Sequence, residues 1–242
     1  MIKSIYNIIL MLSEDSEYVD KVINVLTSVR DQDLLPHPHR NFLDKLRVDY
    51  NFVPEVCYDI GAAVLHWTRH AERVWPDTKL YLFDAFSPVE RFYEGYDYTM
   101  GVLSSADDME VRFYQNDFYF GGNSYYRELA FDDGKFFPES NYIIKKTKTL
   151  DSIVLEKNYR YPDLIKIDVQ GAELDVLKGA TNVLQKAEYL LVELQHVNYN
   201  KDAPLAHTTI DYLKSIGWEC IAEKFSDNGP DADYCFKNTF SK

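Results

Sequence analysis

Four acids and one histidine in this chain stand at or near the ends of apolar runs, where a sheet would present them together. Asp59 lies in VPEVCYDI, Asp84 closes KLYLFD, Asp168 closes LIKID, and Glu193 lies near the end of EYLLVEL with His196 just beyond it. In open α/β sheets, ligands bind outside the carboxyl ends of the strands. A carboxylate placed there can accept hydrogen bonds from ribose hydroxyls, pair with an ammonium, or take a proton. A histidine can take a proton near neutral pH. The competing reading of Asp168 is a cap on the following helix.

The elements that must position these residues are legible from periodicity. Apolar runs predict strands over 53–60, 79–83, 98–103, 110–114, 142–148, 164–167 and 188–194, with a closing hairpin of 218–222 and 232–236. Helical spacing predicts helices from the first strand to about Val74, after Glu90, over 150–157, and along one face bearing Leu174, Leu177, Ala180 and Leu184. A further helix carries Ile210, Leu213 and Ile216 and ends before Gly217. This is an α/β layout, a Rossmann-like and mostly parallel sheet of seven strands with a terminal antiparallel hairpin, and it resembles the arrangement of class I methyltransferases.

Asp59 and Asp84 are one strand–helix–strand step apart, and the turn after Asp59 carries Gly61, where no side chain blocks a ligand. The dinucleotide fingerprint G-x-G-x-x-G is absent, and Asp59 would repel a pyrophosphate. A ligand with a ribose and an amino-acid tail fits better, which makes S-adenosylmethionine the candidate cofactor and disfavours a nicotinamide oxidoreductase.

The chain has 242 residues, 46% of them hydrophobic, enough for one sizeable domain with a full core. Residues 1–50 read as an N-terminal helical extension and 51–242 as the methyltransferase domain. In the extension, Ile2, Ile5, Ile8, Ile9 and Leu12, then Val19, Val22, Ile23, Leu26 and Val29, form a stripe that packs on the main domain or on a second copy as a homodimer. Pro36-His37-Pro38-His39 reads as a linker rather than a metal site. The net charge of −13 repels a phosphate backbone, so nucleic acid is a poor substrate. Cys57, Cys220 and Cys235 fit no disulfide framework and no zinc pattern, as expected of a cytoplasmic protein. No apolar run reaches membrane-span length.

The chain resembles the FkbM family of S-adenosylmethionine-dependent methyltransferases over roughly residues 53–240. The resemblance is carried by DIGA at 59–62, GGNSYY at 121–126, KIDVQGAELDVLKGA at 166–180 and VELQHVNYNKDAPL at 192–205. It implies an O-methyltransferase acting on a hydroxyl of a sugar, either a nucleotide-sugar or a surface polysaccharide such as capsule or lipopolysaccharide. The alternative is an inactive, methyltransferase-like binding or scaffold protein. That alternative draws on Ala63 and Leu65, which stand where the family's first loop usually has Asn and Gly. Gln170 also replaces a frequent Glu, and Asp84 stands where the family more often has Glu.

The cofactor-binding set expected from this reading is Asp59, Gly61, Ala62, Thr68, Asp84, Ala85, Ser104, Asn123, Ser124 and Asp168. Methyl transfer is an in-line displacement at a sulfonium, so the protein chiefly supplies alignment and a base for the alcohol. His196 and Asp168 are the expected bases. Glu193 would orient His196, or would join Asp168 around a divalent metal; the metal is not favoured, because no Asp-Asp pair follows the late strand. Lys166 is expected to pair with Asp168. His66 and His70 read as a solvated helix face, and Tyr119, Tyr125 and Tyr126 as either stacking platforms or packing.

Overall fold

A computed structural model describes residues 16–129 and 134–240. The predicted apolar positions at 2–12 lie outside the described residues. Seven strands form the main sheet: β1 (Val56–Ile60), β2 (Lys79–Asp84), β3 (Asp97–Met100), β7 (Leu164–Ile167), β8 (Tyr189–Gln195), β9 (Trp218–Asp227) and β10 (Asp231–Asn238). Their order is β3-β2-β1-β7-β8-β10-β9. The first five are parallel, and β10 pairs antiparallel with both β8 and β9. β1 and β7 are buried along their whole length, as expected of parallel strands covered on both faces.

The two covering layers divide the side chains of each strand. Val56, Tyr58 and Ile60 of β1 pack with α4 (Leu150–Lys157), α5 (Glu173–Lys178), α6 (Thr181–Leu184) and α7 (Ala206–Ser215). Cys57 packs on the opposite face with α1 (Ser16–Asp31), α2 (His37–Val48) and α3 (His66–Val74). The described N-terminal helices therefore spend their stripe within the chain: Val22, Leu26, Leu43 and Leu46 share one core with Leu80 and Leu82 of β2. The expected linker at 36–39 is instead the start of α2. Pro36 caps it and Pro38 lies in its first turn, where a missing N–H costs nothing.

Three other expectations are corrected. The strand expected over 98–103 divides at Gly101 into β3 and β4 (Val102–Leu103); β4 leaves the main sheet to pair with β6 (Tyr142–Lys148), beside β5 (Glu110–Tyr114). The helix expected after Glu90 is a short 3-10 turn over Ser87–Phe92. The single helix expected over 174–184 breaks into α5 and α6 at Gly179, where a Cβ would stand 2.1 Å from the Ser104 carbonyl oxygen. Only glycine lets that loop and helix approach so closely.

The chain runs β1, β2, β3 outward and then returns to place β7 against the free side of β1. The reversal opens a crevice at the carboxyl ends of β1 and β7, the place where such sheets bind ligands.

Candidate active site

The crevice is a cleft with about 810 Å³ of open space. Its base is the turn after β1, with Gly61 and Ala63, and the turn after β7, with Asp168, Val169 and Gln170. Gly61 has φ 81°, and a Cβ there would lie 1.8 Å from the Asp168 carbonyl oxygen. One wall is Asp84, Ala85 and Phe86 after β2, and the other is the loop carrying Phe120, Asn123 and Tyr125.

Asp84 organises the β2 side. Its Oδ2 accepts the Ala63 N–H at 2.7 Å and its Oδ1 accepts the Phe86 N–H at 2.7 Å. Tyr93 donates its hydroxyl to the Ala63 carbonyl at 2.9 Å and lies 3.4 Å from Asp84 Oδ2. Burial raises the Asp84 carboxyl above the usual range, against the pull of these amides and of Lys145. Lys145 donates to the Ala85 carbonyl at 2.5 Å, and burial brings its ammonium down to about 8.

Ala63 and Leu65 hold φ of 42° and 72°, the left-handed region favoured by Gly and Asn. The first loop thus keeps a glycine-type path without the residues that suit it. Leu65 is buried in the core below the loop.

A row of inward-facing charges crosses the sheet beneath the crevice. Lys166 Nζ lies 3.5 Å from Asp59 Oδ1 and 3.4 Å from Asp168 Oδ2, and donates to the Gly61 carbonyl at 3.2 Å. Gln170 Nε2 donates to Asp168 Oδ1 and to Glu193 Oε2, both at 2.8 Å. Burial works against ionisation of Asp168, yet the Lys166 charge and the Gln170 bond outweigh it and hold that carboxyl below its ordinary value. Burial and the neighbouring Asp168 push Glu193 well above its own. The two carboxyls are therefore pushed apart: Glu193 is the one that holds a proton more tightly, and Asp168 the one that ionises more readily. Among the described residues no group of His, Cys, Asp or Glu is arranged to hold a metal; Lys166 stands between Asp59 and Asp168.

The turn after β7 is tied from both ends. Glu173 Oε1 accepts the Val169 and Gly171 N–H groups at 3.0 and 3.1 Å, and burial raises its carboxyl to about 7. Tyr125 and Tyr126 both donate to Asp175 Oδ2, at 3.0 and 2.8 Å, and so fasten the 120–126 loop to α5. In the same loop Asn123 Oδ1 accepts the Asn116 N–H at 2.7 Å, while its buried Nδ2 has no partner among the described residues.

The structure brings together Gly61, Asp84, Ala85, Asn123, Ser124 and Asp168, all of which line the cleft. It places the other expected residues elsewhere. Asp59 is fully buried, accepting from Thr68 Oγ1 at 2.5 Å and paired with Lys166, so both Asp59 and Thr68 lie beneath the crevice. Ala62 faces a second cavity on the α2 side. Ser104 is buried behind the cleft wall, 3.2 Å from the Tyr125 hydroxyl. His196 stands 3.2 Å from the Tyr234 hydroxyl. Tyr234 belongs to the core on the α4–α7 face, whereas Glu193 joins the charged row on the other, so Glu193 does not orient His196. His66 bonds the Val29 carbonyl at 2.8 Å and both ring nitrogens of His70 are buried, so the two are not the solvated helix face expected of them.

Sequence reasoning passed over Glu173, Asp175, Tyr93, Trp67 and the pair His39–Asp233, and gave Gln170 no bonding role. Asp233 had a signal: it alternates with Ala232 and Tyr234 in a strand buried on both faces, where an unpaired charge is costly.

A profile of the Methyltransferase FkbM domain matches residues 59–220. Hexuronic acid methyltransferase AglP of Haloferax volcanii is 43% identical over 49 residues, which is 20% of this chain and 20% of that protein. Among solved structures, cofactor-bound Rv0187 from MTB superposes with a TM-score of 0.51 at 8% identity, covering 98% of this chain and 97% of that one. Methyltransferase FkbM from Methylobacillus flagellatus KT superposes with a TM-score of 0.49 at 12% identity; the match covers 93% of this chain but only 61% of that one. The fold, the crevice and a profile match over more than half of its length agree: the chain belongs to the FkbM methyltransferase family.

Proposed function

We propose that this protein transfers a methyl group from S-adenosylmethionine to a hydroxyl of a sugar, either nucleotide-linked or within a surface polysaccharide. The observation that carries the cofactor assignment is the placing, on one cleft, of the Asp84 carboxylate and of Asn123, whose Nδ2 has no partner among the described residues. The carboxylate suits ribose hydroxyls, and Asn123 Nδ2 offers a donor to a ring nitrogen of adenine. The sugar assignment draws on the short match to a hexuronic acid methyltransferase.

The bound cofactor supplies an electrophilic methyl and a sulfide leaving group. Asp168 stands at the junction of the cleft and the second cavity, ionised and held by Lys166 and Gln170. It takes the proton of the attacking hydroxyl, and Glu193 beside it, whose own carboxyl is pushed up by burial and by Asp168, leaves the negative charge chiefly on Asp168. Lys166 and Gln170 are positioning residues. This mechanism routes no step through a metal or through His196.

A binding module without activity is the second reading, motivated by Ala63 and Leu65. Against it, both residues keep left-handed backbone, so the loop path is that of a glycine-bearing loop. The proposal also carries a cytoplasmic setting for the three free thiols and a non-nucleic-acid acceptor. No helix among the described residues is long and apolar enough to cross a membrane.

The test is incubation with S-adenosylmethionine and a panel of nucleotide-sugars and glycans, with and without EDTA, following S-adenosylhomocysteine and acceptor mass. A gain of one methyl that survives EDTA is expected. Cofactor binding by calorimetry without product across the panel would favour the inactive module, and absence of cofactor binding would overturn both.

A further inference from the structure

The second cavity shares Gly61, Ala63 and Asp168 with the cleft and opens to solvent, with about 650 Å³ of space between its walls and their mouth. Its floor is the charged row: Lys166 of β7, Glu193 of β8 and Asp233 of β10, with Asp233 directly paired to Glu193 in register. Leu35, Pro36 and His39 of the N-terminal extension close it from above. His39 Nδ1 lies 3.3 Å from Asp233 Oδ2.

Two of the residues that line it, His39 and Trp67, each carry a buried ring nitrogen, Nε2 and Nε1, with no partner among the described residues. Both side chains are only 4% exposed. A buried donor or acceptor left unpaired is costly, so such atoms point to a ligand that completes them. The charges are unevenly committed. Lys166 is already engaged by Asp59, Asp168 and the Gly61 carbonyl, and His39 by Asp233. An entering carboxylate or phosphate would meet the Asp168 and Asp233 carboxylates with these two basic groups already engaged. Hydroxyls meet no such penalty: each can accept from the Trp67 N–H and donate to a carboxylate oxygen.

We propose that this chamber is the acceptor pocket and that it takes a hydroxyl-rich ring bearing no carboxylate or phosphate, an amine being tolerated. The inference rests on the methyl-transfer reading above and narrows its substrate class to neutral or amino sugars, setting aside the nucleotide-linked acceptors and the hexuronic acid for which AglP is named. The amino-acid tail of the cofactor is a poorer occupant, because its carboxylate would face the same acids. The FkbM profile ends at residue 220 and begins at 59, so Leu35, His39 and Asp233 lie outside it. The residues that select the acceptor are thus supplied by segments flanking the family domain. Asp233, held by His39, is the specificity-determining residue.

Trp67 is a built-in reporter, one of three tryptophans in the chain. Tryptophan fluorescence of the full chain saturated with S-adenosylhomocysteine is titrated with methyl glucoside, methyl glucosaminide and methyl glucuronide, using Trp67→Phe to identify the responding residue. The glucoside and glucosaminide are expected to change the Trp67 signal, with the glucuronide at least tenfold weaker. Asp233→Asn is expected to narrow that gap. Equal or tighter binding of the glucuronide overturns the inference, as does failure of every glycoside to move Trp67. So does a signal already saturated by S-adenosylhomocysteine but not by 5′-methylthioadenosine, which would place the tail there. Turnover is followed in parallel. Glycoside binding in the expected order without methyl transfer sustains the charge selection and removes the methyl-transfer reading; methyl transfer without a Trp67 response removes the chamber and leaves that reading intact.

Discussion

Gln170 Nε2 donates to Glu193 Oε2 at 2.8 Å, and the same nitrogen donates to Asp168 Oδ1 at 2.8 Å. One amide thus joins two carboxyl groups that would otherwise repel. A glutamate at this position could not donate when ionised. The amide sets the two carboxyls in order: burial and Asp168 push Glu193 up, while Lys166 and the Gln170 bond hold Asp168 down.

Gln170→Glu is therefore expected to destabilise the protein by about 1–3 kcal/mol at pH 8, the cost of an unmade buried bond. The introduced carboxyl would have its pKa raised by its neighbours, so its penalty grows with pH and fades toward pH 5. Denaturant melts of the two proteins at pH 5 and pH 8 check this; equal penalties at both would show that the bridge is not the reason for the amide.

Asp84→Asn is expected to weaken S-adenosylhomocysteine binding about 10–100-fold, the range of one or two charge-assisted hydrogen bonds. Stability should also fall, because an Asn amide replaces one oxygen that now accepts the Ala63 or Phe86 N–H. Calorimetry separates the two effects. A less stable protein with unchanged affinity would remove Asp84 from the ribose role.

The two left-handed positions should respond oppositely to glycine. Ala63→Gly relieves about 1–2 kcal/mol of left-handed strain and loses only a methyl, so even after the extra chain entropy it should be neutral or stabilising. Leu65→Gly relieves similar strain but empties a buried leucine site worth about 2–5 kcal/mol. It should be clearly destabilising. Unfolding free energies of the two variants give the comparison directly.

Glu173 offers a pH test with a defined sign. Burial raises its carboxyl from the ordinary 4.5 to about 7. Between these values the folded state binds more protons than the unfolded state, so stability falls as pH rises from about 4.5 through 7. This group alone accounts for a loss on the order of 3 kcal/mol across that window. Glu173→Gln keeps an acceptor for the Val169 and Gly171 N–H groups and removes the titration. Its stability curve should be flatter than wild type over that window. A parallel decline in both proteins would refute the assignment.

Asp175→Ala should release the 120–126 loop, whose Tyr125 and Tyr126 hydroxyls converge on that carboxylate. Faster amide hydrogen exchange across 116–126 is expected, with weaker cofactor binding and little change in β1 or β7. Unaltered exchange in the loop would mean that other bonds hold it.

The residue pattern alone determined the sheet, because strand and helix periods are local properties of the chain. β5, β6 and α4 have the limits their periodicity predicts, and the acids at the ends of β2 and β7 were visible as breaks in apolar runs. It also determined the family, through motifs that are contiguous in the chain. Tertiary structure alone decided which way each end-of-strand side chain faces and what it meets. Glu193 and His196 are three residues apart, yet one joins the charged row and the other bonds Tyr234 across the sheet. Asp59 and Thr68 looked available for a ligand until packing closed them on one another. The chamber was illegible for the same reason. Its walls come from α2, the β1–α3 turn and β10, which are distant in sequence, and side-chain register across strands brings them together only when the sheet forms.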